Sequence, residues 1–202
     1  MKHLFSLSGK VKGSSLFLLL MMLPFLFSSC TYNKLVEQEE AVTRAWADVE
    51  TQYQRRSDLI PNLVETAKGH ADIEGAEYER VINARARATQ VTIDPSNITP
   101  EQLKEFQAAQ SEVSSALSRL LVVAEQYPDL KASESFAELR AQLEGTENRI
   151  AEARRIYNEA VQTYNVSVRR FPNNIWAMIF GFDKKTMFAA EAGTEKAPEV
   201  KF

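Results

Sequence analysis

The sequence predicts an all-α protein, an antiparallel up-down bundle of four long helices that is preceded by a lipoprotein-type signal segment. Apolar residues recur at steps of three and four over most of the chain after residue 30, which is the pattern of amphipathic helices. Outside short loops, no stretch shows the apolar–polar alternation of a half-buried strand. An apolar run, Leu16 to Phe27, follows Lys2, Lys10 and Lys12 and precedes Cys30, as in an exported protein.

The 202-residue chain is long enough for one domain with its own core. The last twenty residues mix Lys, Glu, Ala and Pro, which favours a flexible tail. We therefore expect four segments: residues 1–29 as a signal peptide or signal anchor, 30–170 as the helical bundle, 171–182 as an apolar C-terminal segment, and 183–202 as a flexible tail.

The apolar run near the N-terminus indicates an export signal. Its 12 residues are fewer than the roughly 20 that a bilayer-spanning helix needs. The run ends in Phe27-Ser28-Ser29-Cys30, which resembles a bacterial lipobox with Phe27 in the usual aliphatic place. We expect Cys30 to be lipidated; the alternative is an uncleaved signal anchor with an incidental cysteine. Both alternatives place the chain on the exported side of a bacterial cell envelope, held at a membrane, and neither says which membrane.

The charge of the exported part limits its partners. Without the three lysines of residues 1–29, 21 Lys and Arg face 27 Asp and Glu, a net charge of −6. A nucleic-acid partner would require a basic face, so we expect none. The same net charge argues against general attraction to anionic lipid head groups.

The first two predicted helices are separated at Pro61. Helix one is expected from Tyr32 or Asn33. Pro61 has no N–H and clashes with the preceding turn, and Ser57 and Asp58 are good N-cap residues. The sequence thus predicts a turn or sharp kink over Ser57–Pro61, with the second helix running from Pro61 to about Gln90. Two glycines inside that second helix, Gly69 and Gly75, make its middle a soft spot.

The remaining helices have clear boundary signals. Thr99 and Gln102 form a capping box around Pro100 and open the third helix after a loop over residues 91–100. Tyr127-Pro128-Asp129-Leu130 stops it, and the fourth helix is expected from about Ser133 to Val168. The predicted core residues of the four helices are Leu35, Val42, Trp46, Val49 and Tyr53; Leu63, Val64, Ala67, Ala71, Tyr78, Val81, Ile82 and Ala86; Leu103, Phe106, Ala109, Val113, Leu117, Leu120 and Leu121; and Phe136, Leu139, Leu143, Ile150, Ile156 or Tyr157, Val161 and Tyr164.

An even number of antiparallel helices returns the chain to the end where helix one starts. The segment that follows, residues 175–182, is strongly apolar. Two interpretations stay open: the segment folds back over the open end of the bundle, or Trp176, Phe180 and Phe182 contact the lipid interface.

Several strings of this chain resemble the LemA family of small, membrane-associated, helical bacterial proteins. The resemblance covers nearly the whole chain after Cys30. The strings are Tyr32-Asn33-Lys34-Leu35-Val36, Trp46, Arg55-Arg56-Ser57-Asp58-Leu59-Ile60-Pro61-Asn62-Leu63-Val64, Glu125-Gln126-Tyr127-Pro128-Asp129-Leu130-Lys131-Ala132, Glu147-Asn148-Arg149-Ile150, Tyr164-Asn165, Phe171-Pro172 and Gly181-Phe182. The resemblance implies a helical bundle at a membrane and no particular reaction. Many relatives use a spanning helix where this chain has its lipobox-like sequence.

The sequence offers no site for a metal, a cofactor or catalysis. A di-iron bundle site needs Glu-x-x-His on two helices. The two histidines are His3, in the signal segment, and His70, which has Ala67 three residues before it in place of Glu. No P-loop, G-x-S-x-G or G-x-G-x-x-G motif is present. We expect no cofactor, no metal and no enzymatic activity.

Polar residues around Pro61 are the candidate partner-binding site. Arg55, Arg56, Asp58 and Asn62 would be presented to a protein at the predicted turn. The competing interpretation is a half-buried network that fixes helix register. That network would also include Glu125, Glu147, Asn148, Arg154, Asn158 and Asn165, and the pairs Tyr157-Asn158 and Tyr164-Asn165 repeat after seven residues on one helix face.

These observations favour a membrane-anchored envelope scaffold or adaptor that presents helix faces and the Ser57–Pro61 turn to an unknown envelope protein. The alternative is a module that binds a lipid or other apolar ligand inside the bundle. The aromatic residues that could line such a cavity are Tyr53, Tyr78, Phe106, Phe136, Tyr157 and Tyr164. An enzyme would need His70 or paired carboxylates such as Glu147 and Glu152 in a cleft.

Overall fold

The computed structural model describes residues 13–70 and 75–189, with side chains for residues 31–69 and 75–189. All regular elements in these ranges are helices, so the prediction of an all-α protein is confirmed. The helices are α1 (Gly13–His70), α2 (Gly75–Gln90), α3 (Pro100–Ala124), α4 (Pro128–Lys131), α5 (Glu134–Arg169) and α6 (Asn173–Phe180).

Some predictions concern side chains and residues that lie outside the described part of the chain. These predictions are about the side chains of the signal segment, the lipidation of Cys30, the side chain of His70, the burial of Ala71 and residues 190–202 of the tail. These stay predictions. The backbone of α1 runs without interruption from Gly13 past Cys30, whereas we expected a helix that starts at Tyr32 or Asn33.

Helices α1 and α5 form an antiparallel pair, which we call the spine. Trp46 and Tyr157 are in ring contact, with centroids 5.5 Å apart. Farther along α1, Arg56 bonds to Glu147 of α5 at 2.7 Å. Residue numbers therefore rise along α1 where they fall along α5, which makes the two helices antiparallel. Both helices bury an apolar stripe at helical spacing, and this stripe holds them together.

Helices α2 and α3 form an antiparallel hairpin that packs on the C-terminal half of α1. Arg87 and Glu112 join the two helices at 2.6 Å. Ile60, Leu63 and Ala67 of α1 share a buried cluster with residues of α2, α3 and the first turns of α5. Because α1 has 58 residues and α2 only 16, the hairpin covers part of the spine. The regular four-helix bundle of the prediction is thus not confirmed, although α1, α2, α3 and α5 alternate in direction.

We predicted a turn or sharp kink over Ser57–Pro61. The turn is wrong, because α1 continues through Pro61 to His70, and the kink stays a prediction. Pro61 cannot donate to the carbonyl of Ser57, four residues earlier. That carbonyl instead accepts a hydrogen bond of 2.8 Å from Nε of Arg85 in α2. The hydrogen bond from Arg85 thus replaces the intrahelical hydrogen bond that Pro61 cannot make. The first two helices separate after His70, near the glycines Gly69 and Gly75 that marked the soft spot.

Other boundaries and most core positions agree with the prediction. Gln102 donates its backbone N–H to Thr99 Oγ1 at 3.2 Å, and Thr99 donates to Gln102 Oε1 at 3.1 Å, which is the expected capping box. The helix expected from about Ser133 is α5, with Ser133 as its N-cap. Three predicted core residues are exposed: Ile82, Ala86 and Ile156. Tyr157, the alternative to Ile156, is the buried one.

Residues 183–189, which we call the C-terminal arm, run back along α5. We expected a flexible tail from residue 183 onward, and in this stretch two asparagines of α5 bind the backbone. Asn165 donates to the carbonyl of Lys185 and accepts its N–H, both at 2.9 Å. Asn158 does the same with Phe188, at 3.2 Å and 2.8 Å. Seven helical residues rise about 10.5 Å, and three extended residues span about 10 Å, so the two spacings match.

Candidate functional site

A buried arginine lies where α1, α3 and α5 meet. Arg56 is 2% exposed. Its Nη1 donates to Glu147 Oε1 at 2.7 Å and to Ser114 Oγ at 2.8 Å. Its Nη2 donates to the backbone and side-chain oxygens of Gln110 at 3.1 Å and 2.5 Å. The guanidinium carbon lies 5.1 Å from the centroid of the Tyr53 ring. We call these five residues the Arg56 cluster.

The geometry of Arg56 supports the helix-register interpretation of this residue. A buried charge is tolerated when it is paired and its donors are bonded. Arg56 is paired with Glu147, and both of its terminal nitrogens are bonded. Its partners come from α3 and α5, so the bonds fix three helices relative to each other. Arg56 faces inward and is almost fully buried, so it offers a partner little surface.

The other three candidate residues around Pro61 are exposed. Arg55, Asp58 and Asn62 stand at steps of three and four, so they share one face of α1. Gln54 donates to Asp58 Oδ1 at 2.7 Å, which extends the polar face by one residue. The structure therefore separates the predicted site into one inward residue and three outward residues.

An open groove of about 900 Å³ runs between this face of α1 and the α2–α3 hairpin. One wall is α1 from Ala47 to Asn62, including Arg55 and Asp58. The other wall includes Arg85 and Phe106. We call it the first groove. Its α1 wall is polar and accessible over more than four helical turns, which suits a protein segment better than a small enclosed molecule.

A second groove, of about 730 Å³, lies between α3 and α5. Tyr53, Arg56 and Gln110 line both grooves, so the Arg56 cluster separates them. The second groove also has apolar lining, contributed by Leu117, Leu121, Leu143 and Ile150.

Three of the six aromatic residues proposed to line an apolar cavity, Tyr53, Phe106 and Tyr157, belong to one set of contacting rings that includes Trp46. Trp46 contacts the rings of Phe106, Tyr157 and Phe188 at centroid distances of 5.5, 5.5 and 5.8 Å. Of the six aromatics proposed from the sequence, Tyr53 and Phe106 line a groove. Burial raises the pKa of the Tyr157 phenol to about 12.

The seven-residue repeat of Tyr-Asn pairs has a role that the sequence did not reveal. We expected Asn158 and Asn165 in a network between helices, and they bind the C-terminal arm instead. Tyr157 is a third side chain that binds the arm, because its hydroxyl donates to the carbonyl of Thr186 at 2.9 Å. The repeat itself was visible, and it was the available signal. Its target was not, because a backbone target leaves no side-chain pattern in the sequence.

Helix α6 closes one end of the spine with one face and exposes the other. Ala177 is buried and Phe182 packs against the core, as the capping interpretation expects. Tyr32 contacts the rings of Phe180 and Phe182 at 5.0 and 5.7 Å. Trp176 is half-buried, whereas Phe180 is exposed. The predicted lipid contact of Trp176, Phe180 and Phe182 stays a prediction.

Within residues 31–69 and 75–189, no three or more His, Cys, Asp or Glu side chains are grouped so as to hold a metal ion. In the same part of the chain, no helix combines the length and apolarity needed to cross a bilayer.

Comparisons with known proteins give a family and several relatives. The family model described as "LemA family" matches residues 45–202. The chain is 29% identical over 174 residues to the magnetosome protein MamQ 2 of Paramagnetospirillum magneticum, covering 78% of this chain and 64% of that protein. It is 28% identical to the magnetosome protein MamQ of Magnetospirillum gryphiswaldense, with the same coverage. It is also 22% identical over 158 residues to Protein LemA of Metamycoplasma hominis, covering 78% of this chain and 68% of that one.

The chain spans 64% of the length of the MamQ relatives. The matched family region includes the Arg56 cluster, both grooves and the C-terminal arm.

Proposed function

The chain belongs to the LemA family, and on that premise we propose that it is a membrane-anchored, non-enzymatic scaffold or adaptor of the cell envelope. Family membership and the similarity to magnetosome proteins support a membrane-associated, scaffold-like role. In this proposal the N-terminal segment holds the chain at the membrane, through a lipid on Cys30 or as a signal anchor, and the helices present a surface to a protein partner.

The observation that carries the adaptor role is the first groove with its exposed α1 wall. Arg55, Asp58 and Asn62 project from one continuous helix, and the buried Arg56 holds that helix in place from behind. A partner segment lying in the groove would meet both signs of charge and an amide on a rigid wall. Because the predicted turn does not exist, the presented feature is a helix face.

The experiment is site-specific photo-crosslinking in cells. A probe at Asn62 lies in the first groove, and a control probe at Ser115 is exposed on α3 away from both grooves. We expect one discrete protein adduct from Asn62 and none from Ser115. The charge reversal Arg55→Glu should remove the adduct, because it alters the groove wall without touching the core. The absence of a protein adduct from both probes would contradict the adaptor role.

The second groove supports one alternative, a site for a lipid or other apolar ligand. Its lining by Leu117, Leu121, Leu143 and Ile150 is the specific observation in favour. Native mass spectrometry of the detergent-purified chain distinguishes the two functions. A ligand would appear as a discrete added mass that Leu143→Glu removes, whereas an adaptor would show the mass of the polypeptide and its anchor alone.

A further inference from the structure

One end of the spine concentrates exposed apolar side chains. Of the eleven large apolar residues that are exposed in the described chain, six lie in or beside α6. The most exposed are Met178 at 79% and Phe171 at 76%. The six are Tyr32, Phe171, Ile175, Met178, Ile179 and Phe180. Scattered apolar residues are ordinary on protein surfaces, but a concentration of them in and beside one helix marks a surface that something covers.

The patch lies next to the apolar N-terminal segment. Tyr32 belongs to α1, the helix that also contains residues 16–27, and its ring contacts Phe180 and Phe182. Phe27 and Tyr32 are five residues apart in one helix, which corresponds to about 7.5 Å along the axis. A membrane that holds the N-terminal segment is therefore within reach of α6. This continuity favours lipid over a partner protein as the covering material.

The charges around the patch also fit a lipid surface. Helix α6 contains no charged residue. Four exposed basic residues flank the patch, namely Lys34, Arg169, Arg170 and Lys184, against the exposed acids Glu37 and Asp183. The net charge of −6 led us to expect no attraction to anionic head groups, but this end of the molecule has a local excess of positive charge. Tyr and Trp side chains are typical of the membrane–water interface.

We propose that α6 and Tyr32 form a second membrane contact, in which the exposed face of α6 lies at the boundary between head groups and acyl chains of an anionic phospholipid bilayer. The contact rests on the proposed anchoring by the N-terminal segment. It adds a second point of attachment, and two points fix the tilt of the spine where one would leave it free to swing.

The test uses the two tryptophans of the chain, Trp46 and Trp176. Trp46 is 1% exposed in the core, whereas Trp176 lies in α6. The full chain is reconstituted into phosphatidylcholine–phosphatidylglycerol vesicles with or without acyl-chain bromine, which quenches tryptophan emission at short range. In the Trp46→Phe variant, we expect bromine to lower the emission roughly twofold, as for a side chain at the acyl boundary. In Trp176→Phe, the remaining Trp46 emission should not change.

A comparison that leaves the core intact guards against misfolding of Trp46→Phe. The quenching of the wild-type chain minus that of Trp176→Phe gives the contribution of Trp176 directly. The double variant Met178→Glu/Ile179→Glu should lose this contribution while it still sediments with the vesicles. The matched control Val122→Glu, at an apolar residue that is 62% exposed on α3, should keep it.

The outcomes separate the contact from the anchoring. A chain that sediments with vesicles while Trp176 stays unquenched would overturn the α6 contact and leave the anchoring standing; a protein or a second copy would then cover the patch. A chain that stays off the vesicles would overturn both. Quenching that survives Met178→Glu/Ile179→Glu would also overturn the contact as described.

Discussion

At the scale of single residues, Pro61 shows how one helix corrects a defect in another. A proline inside a helix leaves the carbonyl four residues earlier without its partner. Arg85, on α2, supplies that partner for Ser57. The proline was evident from the sequence, and it led to the wrong prediction of a turn. Arg85 lies 28 residues from Ser57, and no local pattern connects them, so only the packing of α2 on α1 could reveal the bond.

We predict that Arg85 and Pro61 are energetically coupled. Arg85→Met keeps much of the side-chain stem and removes the donor, and it should lower the free energy of unfolding by about 1 to 2 kcal/mol. In a Pro61→Ala background the residue-61 N–H bonds to Ser57, so the same change should cost about 1 kcal/mol less. Urea unfolding of the four detergent-solubilised chains measures this cycle. Equal costs in both backgrounds would contradict the coupling.

Arg56 is a second residue whose effect is mainly structural. We predict that Arg56→Ala lowers the free energy of unfolding by about 3 kcal/mol, because it removes the bonds among α1, α3 and α5. The exposed neighbour is the matched control: Arg55→Ala should change stability by no more than about 0.5 kcal/mol. Thermal unfolding followed by circular dichroism gives the ranking. A larger loss from Arg55→Ala than from Arg56→Ala would reverse our assignment of the two roles.

At the scale of elements, the C-terminal arm is the part that the sequence concealed. Helices can be recognised in the sequence by the period of their apolar residues and by caps such as Thr99 and Gln102. The arm has neither, because it is held by hydrogen bonds to its backbone, by the buried Phe188, and by side-chain bonds from Lys185 and Thr186 to carbonyls of the loop before α3. The Tyr-Asn repeat on α5 was found correctly, but it was assigned to contacts between helices.

We predict that Asn158 protects the arm from solvent exchange. Its side-chain oxygen accepts the N–H of Phe188. Asn158→Ala should therefore speed hydrogen exchange at that amide by roughly tenfold, which equals about 1.4 kcal/mol of lost protection. Asn148, exposed on the same helix, provides the control, and Asn148→Ala should leave the exchange rate unchanged. An unchanged rate in Asn158→Ala would contradict this role and would leave the other contacts of the arm, those of Asn165 and Phe188 among them, to protect the amide.

At the scale of the whole molecule, the sequence predicted the helical class and most of the core but missed the relative lengths of the helices. The apolar stripe identifies which residues are buried, and Leu35, Val42 and Val49 are examples. It does not say how far a helix continues, since length depends on where neighbouring helices pack. As a result α1 and α5 became a long spine, and a shorter hairpin lies against one half of it.

The attachment of the whole chain to a membrane leads to a prediction for Cys30. If this residue is lipidated, an alkyne-tagged fatty acid fed to cells should label the wild-type protein, and Cys30→Ser should abolish the label. The intact mass of the protein should also correspond to a chain without residues 1–29. In the alternative of an uncleaved anchor, both proteins would be unlabelled and would retain those residues. Cys30 is the single cysteine of the chain, so any thioether label reports on that one position.

Because α1 is uninterrupted, the number of residues between Cys30 and a given position sets the distance of that position from the membrane anchor. At 1.5 Å per residue, Asn62 stands about 48 Å along the helix axis from Cys30, and Ala47 about 25 Å. A rod of this kind would select partners by reach: a protein whose docking segment stays close to the lipid would miss the groove, however strongly it bound in free solution. Insertion or removal of seven residues would raise or lower the groove by about 10.5 Å while keeping nearly the same face outward. The distance that a partner extends from the membrane, as much as its chemistry, would then decide which proteins can be recruited.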